Sequence, residues 1–268
     1  MDHPSYKATV EFIVTAPEQY EVVATGKLIE ESALTKKRKV THWSEVIPVS
    51  VKVMTIGVAR FAVSLSGEVG NIPITTWVYP QNRDWGFSDF AVGPRVLEFF
   101  QSYIGTYPFE KLAHVQSKTR FGGLENASNI FYFENSVTGE NDHESLIAHE
   151  TAHQWFGNSA TEDDWHHVWL SEGFATYFTS VYLEHQYGRD KLVESMKESR
   201  NDVLAFSKKN KAPIVDTTIV DINAVLSTNT YQKAGWVLHM LRKQIGDENF
   251  HKGIRAYYDQ YKYKNAMS

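Results

Sequence analysis

Ile147-Ala148-His149-Glu150-Thr151-Ala152-His153-Gln154-Trp155-Phe156-Gly157 is the stretch on which the reading of this chain turns. The pattern predicts a helix over residues 142–156, with Asn141 and Glu144 spaced as in a capping box and Gly157-Asn158 at its end. On such a helix His149 and His153 lie about one turn apart, so both imidazoles leave one face and can share a metal ion. Glu150 follows the first of them by about 100° of rotation, close to the metal without having to bind it. A zinc ion held by neutral imidazoles brings a water toward a pKa of about 7, and a carboxylate beside that water can take its proton as it attacks a carbonyl. The competing reading is a plain pair of histidines on an amphipathic helix.

The residues downstream favour the metal. A second helix, predicted over 168–187 and closed by Gly188, carries Trp169-Leu170-Ser171-Glu172-Gly173-Phe174-Ala175. The loop after Gly157 folds this helix back, which brings Glu172 toward the metal as a third ligand, and Gly173 beside it permits close helix packing. Two His and one Glu, with one position left for water, form an open catalytic arrangement rather than a closed structural one. The chain contains no Cys. Disulfides, thiolate nucleophiles and cysteine zinc sites are therefore excluded, and any metal is held by His, Asp or Glu.

Outward from this centre the chain reads in two parts. Period-2 alternation predicts antiparallel strands at 6–12, 20–24, 46–53, 60–65 and 72–79. The basic run Lys36-Lys37-Arg38-Lys39 between two of them reads as a solvated hairpin tip rather than a polyanion site. From about residue 81 onward helices dominate, at 89–103 with Pro94 in the first turn, and at 191–208, 231–245 and 248–261. Strands at 111–116 and 130–133 flank a glycine loop at Gly122-Gly123. The expected fold class is α+β: an antiparallel β domain over 1–82, followed by a mixed α/β catalytic domain over 83–268.

Composition narrows the function classes. The chain has 268 residues, 42% hydrophobic and 22% charged, a normal globular balance with material for a sizeable core. A net charge of −5 argues against a nucleic-acid partner held by a global basic field. No apolar run approaches a membrane span, and Met1-Asp2-His3-Pro4 lacks a signal-peptide pattern, so the expectation is no membrane partner and a cytoplasmic location.

His-Glu-x-x-His followed 19 positions after His153 by Glu172 resembles the gluzincin pattern of the zinc aminopeptidase family that includes aminopeptidase N, puromycin-sensitive aminopeptidase and leukotriene hydrolase. Phe121-Gly122-Gly123-Leu124-Glu125-Asn126 is similar to that family's Gly-x-Met-Glu-Asn motif, with Leu124 in place of Met. Tyr231-Gln232-Lys233-Ala234-Gly235 is similar to the segment that carries its catalytic tyrosine. The resemblance implies a partial saddle-like N-terminal β domain before a thermolysin-like catalytic domain, the chain being a core fragment of a longer family member. It also implies one zinc ion bound by His149, His153 and Glu172, with Glu150 as general base and Tyr231 donating to the oxyanion. Glu125 would bind the substrate's α-ammonium, and Gly122, Gly123 and Asn126 would line the peptide. The activity implied is removal of the N-terminal residue from peptides with a free N-terminus. The alternatives are a thermolysin-like endopeptidase and a weakly active or non-catalytic zinc-binding module.

Weaker candidates remain. His166 and His167 either contact a ligand from behind or shape the start of the second helix, and the latter is favoured. Glu162-Asp163-Asp164 reads as a solvated turn rather than a second cation site. His114, His185, His239 and His251 lack partner spacing and take structural readings. Trp155, Phe156, Trp165, Trp169, Phe174, Tyr177 and Phe178 read as packing between the two helices that carry the ligands.

Overall fold

The structure, a computed structural model, describes residues 3–268. Five strands come first: β1 (Lys7–Pro17), β2 (Glu21–Ala24), β3 (Lys27–Leu34), β4 (Arg38–Ser50) and β5 (Ile56–Ala59). β4 lies between β1 and β3 in an antiparallel sheet, and β2 pairs antiparallel with β5. β3 and β5 are absent from the sequence expectation, and β4 begins well before residue 46. β3 is an edge strand exposed on both faces, so its side chains carry no alternation to read. The basic run does turn a hairpin, with Lys36 and Lys37 at φ of 63° and 56°. Lys39 is not solvated, however; it is buried between Glu21 at 2.7 Å and Glu31 at 3.1 Å.

The hairpin of β6 (Ala62–Val69) and β7 (Ile72–Val78) leads into helices α1 (Arg83–Asp89) and α2 (Gly93–Tyr103). Strands β8 (Leu112–Ser117), β9 (Gly123–Leu124) and β10 (Asn129–Phe133) complete a sheet of order β6-β7-β8-β10-β9. β7, β8 and β10 run parallel to one another, and β9 sits antiparallel at the edge. The expected boundary at residue 82 thus falls on a connection whose two flanks share one sheet through the β7–β8 pairing.

Helices then take over: α3 (Glu144–Ala152), α4 (Trp169–Tyr187), α5 (Arg189–Ser207), α6 (Ala234–Ile245) and α7 (Asp247–Tyr261). The short strands β11 (Thr161–Glu162) and β12 (Asn265–Ala266) pair parallel. The main core gathers Leu97, Phe100, Ile147, Phe178 and Phe250 from the helices and Trp155 from the turn after α3. Burying each such side chain stabilises the fold by about 1.5–3 kcal/mol. A second cluster around Val23, Trp43, Val115 and Phe131 seats the first strands against that sheet.

α3 is shorter than expected, and its start differs. Asn141 does not cap it: its φ is 58° and its N–H donates to the Asp89 carboxylate at 3.0 Å. Glu144 turns away from the helix start to the hydroxyls of Tyr182 and Tyr187 and to Arg95. Satisfying the hydroxyl of the buried Tyr182 outweighs closing a capping box.

Candidate metal centre

α3 and α4 bring the three expected ligands together. His149 Nε2 lies 3.1 Å from His153 Nε2 and 3.4 Å from Glu172 Oε2, and His153 Nε2 lies 3.2 Å from the same oxygen. A tetrahedral ion with bonds of about 2.0–2.1 Å holds its donors roughly 3.3–3.4 Å apart, so this triangle fits one zinc ion. His153 Nδ1 donates to the Phe156 carbonyl at 3.1 Å, with Ser171 Oγ at 2.9 Å from the same nitrogen. That bond keeps the proton on Nδ1 and leaves Nε2 free as a ligand.

The electrostatics suit a cation. Burial opposes a charge on His153, yet the Glu172 carboxylate outweighs it and lifts the imidazole to about 10. Burial likewise opposes ionisation of Glu172, but His153 and His149 hold it well below the ordinary carboxylate range. The same attraction favours a cation in the triangle, where a metal would take the place of a proton on His153 Nε2.

Glu150 is 5% exposed, and burial pushes its carboxyl up to about 8, reinforced by Glu125 and Glu172 and relieved in part by His153. Its place depends on a residue with no side chain. A Cβ on Gly123 would sit 2.3 Å from Glu150 Oε1, so only glycine lets the edge strand β9 pass this close to the carboxylate. Gly173 plays a similar part for Tyr231. Its missing Cβ would lie 2.4 Å from Ala234 Cβ and 3.2 Å from the Thr230 carbonyl. α4 can therefore press against the π-helical turn Asn229–Lys233, which carries Tyr231. The Tyr231 ring stacks 6.2 Å from that of His149, and burial together with the Glu172 carboxylate keeps its phenol protonated.

Glu125 and Asn126 form a loop between β9 and β10 that the turn after α3 holds through Gln154 and Asn158. Gln154 Oε1 accepts from Ser128 N at 2.9 Å, and its amide faces the carbonyls of Glu125 and Asn126 at 3.4 and 3.3 Å. Asn158 Nδ2 also donates to the Glu125 carbonyl. Gly122 accepts from Phe133 N at 3.0 Å. All these expected site residues line one cavity of about 540 Å³, together with Lys52, Trp165, Leu146, Ile222, Val225 and Leu226.

Sequence reasoning missed Ser171, Gln154, Asn158 and Lys52. Ser171 and Gln154 each stand next to a ligand in the chain, which was the available signal. Lys52 lies 97 residues before His149 and had none. Glu162 corrects the solvated-turn reading: the β11–β12 pairing buries it completely, and it pairs with Lys52. Lys52 also sits 5.0 Å over the Trp165 ring. His166 and His167 shape the entry to α4 and reach no metal ligand, through Asp164 and Ser268 respectively. Phe156 packs on Phe174 and Phe178 as expected, whereas Trp165 lines the cavity.

The Peptidase family M1 domain matches residues 89–268. The chain belongs to peptidase family M1. Its M1 relatives include glutamyl aminopeptidase of Homo sapiens, 28% identical over 287 residues, covering 100% of this chain and 30% of that protein. A probable aminopeptidase 2 of Sulfurisphaera tokodaii is 27% identical, over 99% of this chain and 36% of its own length. The chain thus spans about a third of these curated relatives. The M1 zinc metallopeptidase of Deinococcus radiodurans superposes on it with a TM-score of 0.83 at 22% identity, over 100% of this chain and 60% of that one. The likeness extends the shared fold through the β-rich part before residue 89. Among the described residues no helix is long and apolar enough to cross a membrane.

Proposed function

We propose that this chain carries the catalytic centre of a zinc aminopeptidase, which hydrolyses the first peptide bond of substrates with a free N-terminus. The observation that carries the reading is the triangle of His149, His153 and Glu172 donors, open to a cavity that also holds Glu150, Glu125 and Tyr231. When bound by those three residues, a zinc ion supplies a Lewis acid that acidifies water and polarises the scissile carbonyl. Glu150, a carboxylate with high proton affinity, takes the proton of the attacking water and returns it to the departing amine. Tyr231 donates its hydroxyl proton in a hydrogen bond to the carbonyl oxygen as charge builds there, typically worth about 3 kcal/mol for one donor. Glu125 binds the α-ammonium, and Gly122 with the outer edge of β9 at Gly123 lies along the extended peptide, beside Asn126.

The catalytic unit in this reading begins near residue 62 rather than 83, because β6 and β7 belong to the catalytic sheet; the strands before them form the β domain. The experiment compares cleavage of an aminoacyl anilide and its N-acetyl form by zinc-loaded protein and by Glu150→Gln. Turnover restricted to the free amine, falling by about 10²–10⁴-fold in the variant with zinc retained, is expected. Equal cleavage of both substrates would instead indicate an endopeptidase, and zinc binding without cleavage a binding module. The expected cytoplasmic location is tested by fractionating cells that make the natural protein; activity recovered with membranes would contradict it.

A further inference from the structure

One wall of the cavity is a loop over 208–228 that contributes Ile222, Asn223, Val225 and Leu226 and leads into the turn bearing Tyr231. Its base is well tied. Asn229 Nδ2 and Lys233 Nζ donate to the Ala212 carbonyl at 3.1 and 3.0 Å, and Thr230 Oγ1 donates to that of Val225 at 2.8 Å. The outer part, 214–224, is half-buried or exposed throughout, with Val220 97% exposed, so little apolar burial holds it. Among the described residues one hydrogen bond joins this outer part to a residue beyond the loop: His166 Nε2 to the Ile219 carbonyl, 3.0 Å.

The other ring nitrogen decides the chemistry. His166 Nδ1 faces Asp164 Oδ1, which also accepts from the His166 backbone at 2.9 Å. A carbonyl and a carboxylate can only accept, so both ring nitrogens must carry protons for both bonds to exist; a neutral imidazole has one, which the stronger acceptor, the Asp164 carboxylate, holds at Nδ1, leaving a lone pair on Nε2 against the Ile219 carbonyl. We propose that His166 is a positioning residue whose imidazolium moors the 214–224 loop, so that this wall of the cavity loosens when the ring loses its proton.

The surroundings hold the charge. Asp164 faces the ring from its own turn, Asp216 from the loop, and His3 from the N-terminal segment at 3.4 Å across the second Asp164 oxygen. The neighbouring His167 is turned away to Ser268. The Ile219 carbonyl and then Asp164 raise the His166 pKa above its ordinary value. Mooring is therefore held at low pH and is lost as pH rises through that raised value.

The consequence for substrate binding rests on the peptidase reading, while the mooring itself does not. Tyr231 sits on the tied base of the loop, so release of the outer part acts on binding more than on chemistry. The test measures KM and kcat for an aminoacyl anilide from pH 6 to 9, with hydrogen exchange of 214–224 corrected for intrinsic rates, in wild type, His166→Ala and His166→Gln. Gln keeps an N–H for Ile219 and cannot ionise. In wild type, KM and exchange are expected to rise together with pH. In His166→Ala both are high throughout, KM by about tenfold with kcat within about threefold, and in His166→Gln both are low and independent of pH. Exchange that is flat with pH in wild type, or unchanged in His166→Ala, would overturn the mooring. Exchange needs no turnover, so a protein that cleaves nothing would refute the peptidase reading and leave the mooring still measured.

Discussion

Gly123 shows how a residue without a side chain can govern one that acts. Its absent Cβ gives Glu150 room to stand against the sheet edge, where a methyl group would overlap the carboxylate at 2.3 Å. Gly123→Ala should push Glu150 aside by about an ångström and lower kcat by roughly 10²-fold. Zinc stoichiometry should hold, since the three atoms nearest that Cβ all belong to Glu150. Rate and metal content measured on one preparation test this; an unchanged kcat would mean that the position of Glu150 is not set by the sheet. His153 illustrates a different dependence, because Ser171 and the Phe156 carbonyl fix its tautomer from behind. His149 and His153 were legible in the sequence because helical spacing puts them on one face, Glu150 because it follows the first of them, and Glu172 because a second helix folds back beside them. The partners behind them were not, since a hydrogen bond to a backbone carbonyl leaves no sequence pattern.

Among the elements, α4 carries the greatest constraint. It presents Glu172 to α3 on one side and presses Gly173 into the turn bearing Tyr231 on the other. Gly173→Ala would bring its new methyl to 2.4 Å from Ala234 Cβ and force α4 away from that turn. The expected cost is about 1–3 kcal/mol in denaturant unfolding, with weaker zinc affinity because Glu172 moves with the helix. A variant as stable as wild type would show that α4 and α6 have slack between them. The long helices were legible from periodicity and from stops such as Gly188 and Gly246, both at positive φ. β3 was not, because an edge strand exposed on both faces has no buried side to pattern. α3 ends before the expected residue 156 for another reason: the buried Trp155 and Phe156 continue the apolar pattern while the backbone has already left the helix.

Across the whole molecule, the β-rich part reaches into the cavity through Lys52. Lys52 and Glu162 are both buried, and Lys7 Nζ donates to the carbonyls of Ser159 at 2.8 Å and Lys264 at 3.0 Å nearby. Lys52→Met would leave the buried Glu162 carboxylate without its ion-pair partner. That should cost about 3–5 kcal/mol in urea unfolding at neutral pH, and Lys52→Met/Glu162→Gln should recover most of it. No recovery would assign the loss to packing. Such ties were invisible beforehand, since each joins residues far apart in the chain, and the same distance hid the sheet that crosses residue 82.

X-ray absorption at the zinc edge, on the metal-loaded chain, tests most directly whether three side chains from two helices share one ion. One zinc per chain is predicted, with nitrogen and oxygen neighbours at about 2.0–2.1 Å and the scattering signature of two imidazole rings. A shell of three or more imidazoles, or no zinc retained at saturating metal, would contradict it.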